Sequence, residues 1–184
     1  AAAGIGEFGA RLSSWLFHVA SALLIVRIGQ RERSLAVGLV AAIVYSSCLL
    51  GLVASGAAHT EPALTFSLLL AFLGFRGGML HADAMGARLG FIGLGLALLA
   101  KGPVALLLLL VPCLFWTAWN CQWIAFRALP WFSGGMLASA IVVPWHAFAE
   151  MRSPGFLHGL LIGEHWRGAH TAPHGTVWLY LAGA

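Results

Sequence analysis

One lysine stands in the whole chain, Lys101, inside the stretch ALLAKGPVALLLLL. Set mid-membrane, its ammonium would cost about 2.5–3.5 kcal/mol even on the lenient insertion scale. Gly102 and Pro103 end the preceding helix and free backbone groups, and irregular backbone at that depth is tolerated where it lines a cavity. A cation placed there suits a phosphate or another anion. Spacing alone leaves an equal alternative, a loop lysine between two spans whose head snorkels to water.

Two more stretches carry chemistry. In HTEP, residues 59–62, Glu61 directly precedes Pro62. A carboxylate at a membrane boundary is costly unless it is paired, solvated or metal-bound. A helix start also favours an anion, so Glu61 reads equally as a capping acid or as a metal or substrate ligand. His59 beside it reads as an interfacial histidine. The stretch SPGFLHGLLIGEHWRGAHTAPHGTVW holds His158, His165, His170 and His174 with Glu164 and Arg167. Its apolar residues from Phe156 to Ile162 suggest a short helix lying on a membrane surface. Imidazole suits zinc and a carboxylate suits harder ions, so a divalent metal is one expected occupant. Neighbours on a helix seldom face one pocket, so Glu164 or His165 would act alone. His170 and His174 have helical spacing, but Pro173 and Gly175 argue against a helix there. A haem site would want histidines within spans, and the only candidates, His18 and His146, are expected near helix ends.

The elements that position these residues follow from composition. The chain has 184 residues, 60% of them hydrophobic and 9% charged, against about 25% charged in an ordinary soluble domain. One soluble core of this length cannot hide so much apolar surface, whereas lipid is itself an apolar solvent. The expected fold is all-α, a polytopic transmembrane helical bundle. The net charge of +4 does not point to nucleic acid, because the arginines are spread between apolar runs and form no basic stripe. Cys48, Cys113 and Cys121 read as small hydrophobes, with no C-x-x-C pair and no disulfide framework.

About six spans are expected, plus the start of another: 12–28, 34–58, 62–75, 89–100, 104–119 and 128–148. The third and fourth are short, and RGGMLHADAMGAR between them reads as a loop, as does NCQWIAFR after the fifth. Counting loops alternately puts Arg27, Arg31, Arg33, Arg76, Arg88 and Arg127 on one side and Arg11, Lys101, Arg152 and Arg167 on the other. The positive-inside bias makes the first set cytoplasmic. Glu7, Glu61, Glu150 and Glu164 then share the outer face with Lys101. GEFGAR, HTEP, KGP and the 150–175 stretch would all meet there, provided no span is missed. Internal glycines fit close helix packing. Short, Gly/Pro-interrupted segments also mark transporter sites, so a transporter or flippase segment with an anion and proton site at broken helices is the alternative reading. The start has no basic n-region and is not a signal peptide. It and the end, which stops inside a fresh apolar run, suggest a piece of a longer protein.

Four stretches in order resemble the integral-membrane glycosyltransferases of the GT-C fold. This is the superfamily of the dolichyl-phosphate-mannose protein mannosyltransferases and the lipid A aminoarabinose transferase. GEFGARLSSWLFHV resembles the family's Gly-Glu-x-x-x-Arg-Leu-Pro-Ser helix entry, and HTEPALTFSLLLA its Thr-Asp-Pro-x-Leu segment. GLGLALLAKGPVALLLLLVP resembles its Lys-Gly-Pro segment. SPGFLHGLLIGEHWRG with HGTVWLYL resembles its Pro-x-Phe…Glu-His-x-x-Arg-Phe stretch. The resemblance implies that residues 1–184 form part of a single transmembrane domain cut at both ends. It implies sugar transfer from a polyprenyl-phosphate carrier to a protein, lipid A or glycan acceptor, with inversion, on the outer face of a bacterial inner membrane. It further implies an aspartate base on a loop before Ala1, and for Lys101 a role at the carrier phosphate or in packing of the donor cavity. Arg167, one residue early for the family's arginine, is implied in a phosphate role. Glu61 stands where the family has aspartate, in the acceptor pocket or, with His165, at a divalent metal.

Overall fold

The computed structural model describes residues 7–48 and 60–155, with side chains from residue 12 onward. Among these residues the chain is helical throughout, with no strand. The helices are α1 (Glu7–Glu32), α2 (Leu35–Ser47), α3 (Glu61–His81), α4 (Ala84–Lys101), α5 (Val104–Trp119), α6 (Trp123–Arg127) and α7 (Trp131–Arg152). Four are long and apolar enough to cross a membrane, namely α1 from Leu12, α3, α4 and α7, and α2 and α5 are shorter apolar helices. Leu23, Ile43, Leu107 and Phe115 are each more than 60% exposed. A face of that kind is stable against lipid tails, and the all-α membrane bundle expected from composition is the fold observed.

The helix ends follow local chemistry. Ser34 caps α2 by accepting a hydrogen bond from the Val37 N–H at 3.3 Å. Pro62 sits in the first turn of α3, where its missing N–H costs nothing. The expected loop 76–88 is instead mostly helix. Ala82, in the left-handed region at φ 51°, ends α3, and Asp83 caps α4 by accepting from the Gly86 N–H at 2.9 Å. Arg76, Asp83 and Arg88 lower the hydropathy there without breaking the helices, because charged residues belong at a membrane interface. NCQWIAFR likewise contains the short helix α6.

The chain divides into two compact units, 1–142 and 143–184, with the boundary inside α7 just before Pro144. In the first unit, α1 and α2 run antiparallel. His18 stacks on Tyr45 with ring centroids 4.7 Å apart, while Gly29 meets Gly38 so closely that a Cβ on Gly29 would stand 2.6 Å from the Gly38 nitrogen. Helix α3 runs alongside α1 in the same direction, with Phe17 and Phe66 rings 5.6 Å apart near one end and Arg76 paired with Glu32 near the other. Helices α3 and α4 form an antiparallel hairpin, and α4 and α5 form another. Phe75, Phe91, Leu94, Leu109, Cys113 and Leu129 close the main core, with Trp131 of α7 packed edge-on against Phe91 at 5.5 Å. A second small cluster, Leu64, Ala97 and Ala105, closes the end near Lys101. In the second unit, the Gly155 N–H donates to Glu150 Oε1 at 2.8 Å, and the Arg152 guanidinium lies 5.5 Å over the Phe148 ring.

Candidate functional site

Lys101 ends α4 and Glu61 begins α3, and the hairpin brings those ends together. Lys101 Nζ lies 2.6 Å from Glu61 Oε1, with the side chains 40% and 53% exposed. The Lys-Gly-Pro segment is therefore the turn of the α4–α5 hairpin and not a break in the middle of a span. Gly102 makes the turn with φ 61° and ψ −146°, and its N–H donates to the Leu98 carbonyl at 2.8 Å. Such a backbone conformation favours glycine. Of the two readings of Lys101, its position is that of the loop between spans. It nevertheless makes a specific contact instead of trailing into water. The broken mid-membrane helix on which a transporter site would draw is absent among the described residues at this segment.

Both charges suit their helix ends. A carboxylate is favoured in a first turn and a cation in a last turn. Thr60, at the N-cap of α3, makes no side-chain cap bond, so Glu61 is the acid nearest the free N–H groups there. Its side chain turns to Lys101 in spite of this. An exposed pair of this kind contributes about 0.2–1 kcal/mol, so its interest lies in chemistry more than in stability.

The ends of the first unit are chemically distinct. Arg27, Arg31, Arg33, Arg76, Arg88 and Arg127 all lie toward the end opposite Lys101, as the alternating count expects. Glu32 and Asp83 lie there as well. Arg76 binds both oxygens of Glu32, tying α3 to α1. Among the described side chains of this unit, Lys101 and Glu61 are the charged groups of the other end. The N-terminal turns of α1, which carry Glu7 and Arg11, run toward that same end. Of the four polar clusters expected to converge, HTEP and KGP meet, through Glu61 and Lys101.

Other expected site residues lie outside the described residues: His59, His158, Glu164, His165, Arg167, His170 and His174. Glu61 already faces a cation, and among the described residues no three His, Cys, Asp or Glu side chains come together. His18 and His146, expected near helix ends, both sit within helices. His18 is 7% exposed, and its Nε2 has no hydrogen-bond partner. Sequence spacing missed this buried imidazole, although Ser14, His18 and Ser21 fall at helical spacing on one face and are all buried. Cys113 is buried as expected, whereas Cys48 and Cys121 are exposed; all three thiols are free.

The family of dolichyl-phosphate-mannose-protein mannosyltransferases matches residues 2–159. A curated relative is the undecaprenyl phosphate-alpha-4-amino-4-deoxy-L-arabinose arabinosyl transferase of Erwinia tasmaniensis. It is 30% identical over 193 aligned positions, which cover 97% of this chain and 34% of the relative. The chain thus spans about a third of that protein's length. No solved structure matches.

Proposed function

This chain belongs to the dolichyl-phosphate-mannose-protein mannosyltransferase family, and we propose on that basis that its full-length protein is a polyprenyl-phosphate-sugar glycosyltransferase of a bacterial inner membrane. The acceptor hydroxyl attacks the anomeric carbon, the sugar–phosphate bond breaks, and the phosphate leaves with the bonding electrons. A base takes the acceptor's proton; the resemblance implies an aspartate on a loop before Ala1 for this. Lys101 stabilises the charge that grows on the departing phosphate, and Arg167 would assist. In this reading Glu61, at the same end, serves the acceptor pocket. The site faces the periplasm or cell exterior, in keeping with the six arginines at the opposite end. A divalent ion at Glu61 and His165 would require Glu61 to leave Lys101. The acceptor is a protein, lipid A or another glycan.

The observation that carries this reading is the meeting of Lys101 and Glu61 at one end of the bundle, from two stretches that both resemble family motifs. The test is transfer by the full-length protein from an undecaprenyl-phosphate-linked aminosugar, comparing wild type with Lys101→Met. Loss of one preorganised charge at a leaving group costs about 100- to 1,000-fold in turnover. An unchanged rate would remove Lys101 from the mechanism.

A further inference from the structure

Lys101, the cation assigned above to the carrier phosphate, already holds an anion. Its Nζ is 2.6 Å from Glu61 Oε1. Among the described side chains of residues 12–142, every other charged group lies toward the opposite end of the bundle. The pair is neutral in itself, and an arriving phosphate meets a lysine that already faces a carboxylate. We propose that Glu61 is an internal competitor for the anion site of Lys101, which the carrier phosphate displaces on binding and which returns as the carrier leaves. This rests on the phosphate role of Lys101 stated above.

Three features make the exchange feasible. Both side chains are more than a third exposed, so opening the pair strands neither charge in an apolar interior, where an unpaired ion would be prohibitive. The released carboxylate has a second resting place. It sits in the first turn of α3, whose N-cap Thr60 supplies no side-chain acceptor, so the helix's free N–H groups can stabilise it. The backbone that carries Lys101 stays where it is, because Gly102 and the hairpin turn fix the end of α4.

The arrangement has a consequence for ligand choice. A free anion in water must outcompete a carboxylate that is always present at the site. A phosphate on a prenyl chain is confined to the membrane, and tethering raises its effective concentration at the site. The competitor weakens both anions by the same factor, so only the lipid-borne phosphate, which has the tether's higher effective concentration, still fills the site. When the carboxylate returns after transfer, it speeds release of the spent carrier.

The test is direct binding of undecaprenyl phosphate to the detergent-purified full-length protein, titrated by native mass spectrometry, with inorganic phosphate as a second probe. Glu61→Gln is close to isosteric and lies at an exposed position, and a thermal melt confirms that it folds. It is expected to bind undecaprenyl phosphate more tightly, by up to about fivefold, the factor equivalent to the upper limit of about 1 kcal/mol for an exposed ion pair. It should also gain measurable affinity for inorganic phosphate. Lys101→Met should weaken undecaprenyl phosphate binding, and the double variant should behave as Lys101→Met does. If Lys101→Met weakens binding but Glu61→Gln leaves it unchanged or weakens it too, the competitor is overturned while the phosphate role of Lys101 stands. If Lys101→Met binds as wild type does, the phosphate role fails and the competitor fails with it. Glu61→Asp gives an independent check. Its carboxylate is one methylene shorter, so its affinity should fall between those of wild type and Glu61→Gln.

Discussion

A Cβ on Gly93 would stand 2.6 Å from the backbone nitrogen of Ala71, so α3 and α4 touch backbone to backbone two turns below the Lys101–Glu61 pair. Ala71 is fully buried. Helices approach this closely only through small residues. The contact sets the distance between the helix ends, and hence whether a lysine at 101 reaches a carboxylate at 61.

Substituting Gly93→Val should therefore force the hairpin apart. Overpacking of this kind costs about 1–3 kcal/mol, read as a lower melting temperature of the purified full-length protein. Gly135 provides the control, because a Cβ there meets nothing within 4 Å. Gly135→Ala should be neutral or stabilising by up to about 1 kcal/mol. Equal destabilisation by both would mean that the effect is general to glycine and not due to the close approach.

His18 should tolerate an apolar ring. Its Nε2 is buried without a hydrogen-bond partner, and the imidazole stacks on Tyr45. An unsatisfied buried polar atom costs about 1–3 kcal/mol. His18→Phe keeps the stack and removes that cost, so the melting temperature should hold or rise. His18→Ala loses the packing and should lower it. A sharp drop for His18→Phe would show that Nε2 meets a partner in the complete protein.

Accessibility tests the two ends. With single cysteines at 61, 101, 33 and 76 in a cysteine-free full-length protein, a membrane-impermeant thiol reagent on intact cells should label positions 61 and 101. Positions 33 and 76 should label only after lysis. Glu61 and Lys101 must share one behaviour, because their side chains touch. Labelling of the arginine-rich end from outside would reverse the orientation and place the site in the cytoplasm.

The sequence made some positions legible and hid others, for physical reasons. Pro62 and the Lys-Gly-Pro turn were readable because proline and glycine constrain the backbone within one or two residues. Val104–Trp119 appears with the bounds its apolar run suggests. The stretch 76–88 reads as loop in the sequence, since hydropathy falls at Arg76, Asp83 and Arg88, yet the helices continue to the cap at Asp83. The interfacial charges lower the apolar average but satisfy the helix ends. The burial of His18 was not readable, because it depends on which face of α1 meets Tyr45 of α2.

Composition alone settled the class of protein, since 60% hydrophobic residues with 9% charged leave lipid as the solvent that can accommodate the surface. The order of spans and loops then sorted the six arginines from Lys101. That Lys101 and Glu61 stand 2.6 Å apart was decided only by the tertiary structure. Forty positions of chain separate them, and their meeting depends on the α3–α4 register, on the glycine contact at Gly93 and on the turn at Gly102. Helix class follows from short-range forces that a sequence window captures. A side-chain distance is the sum of many weak contacts between distant segments, and it exists only once the helices have packed.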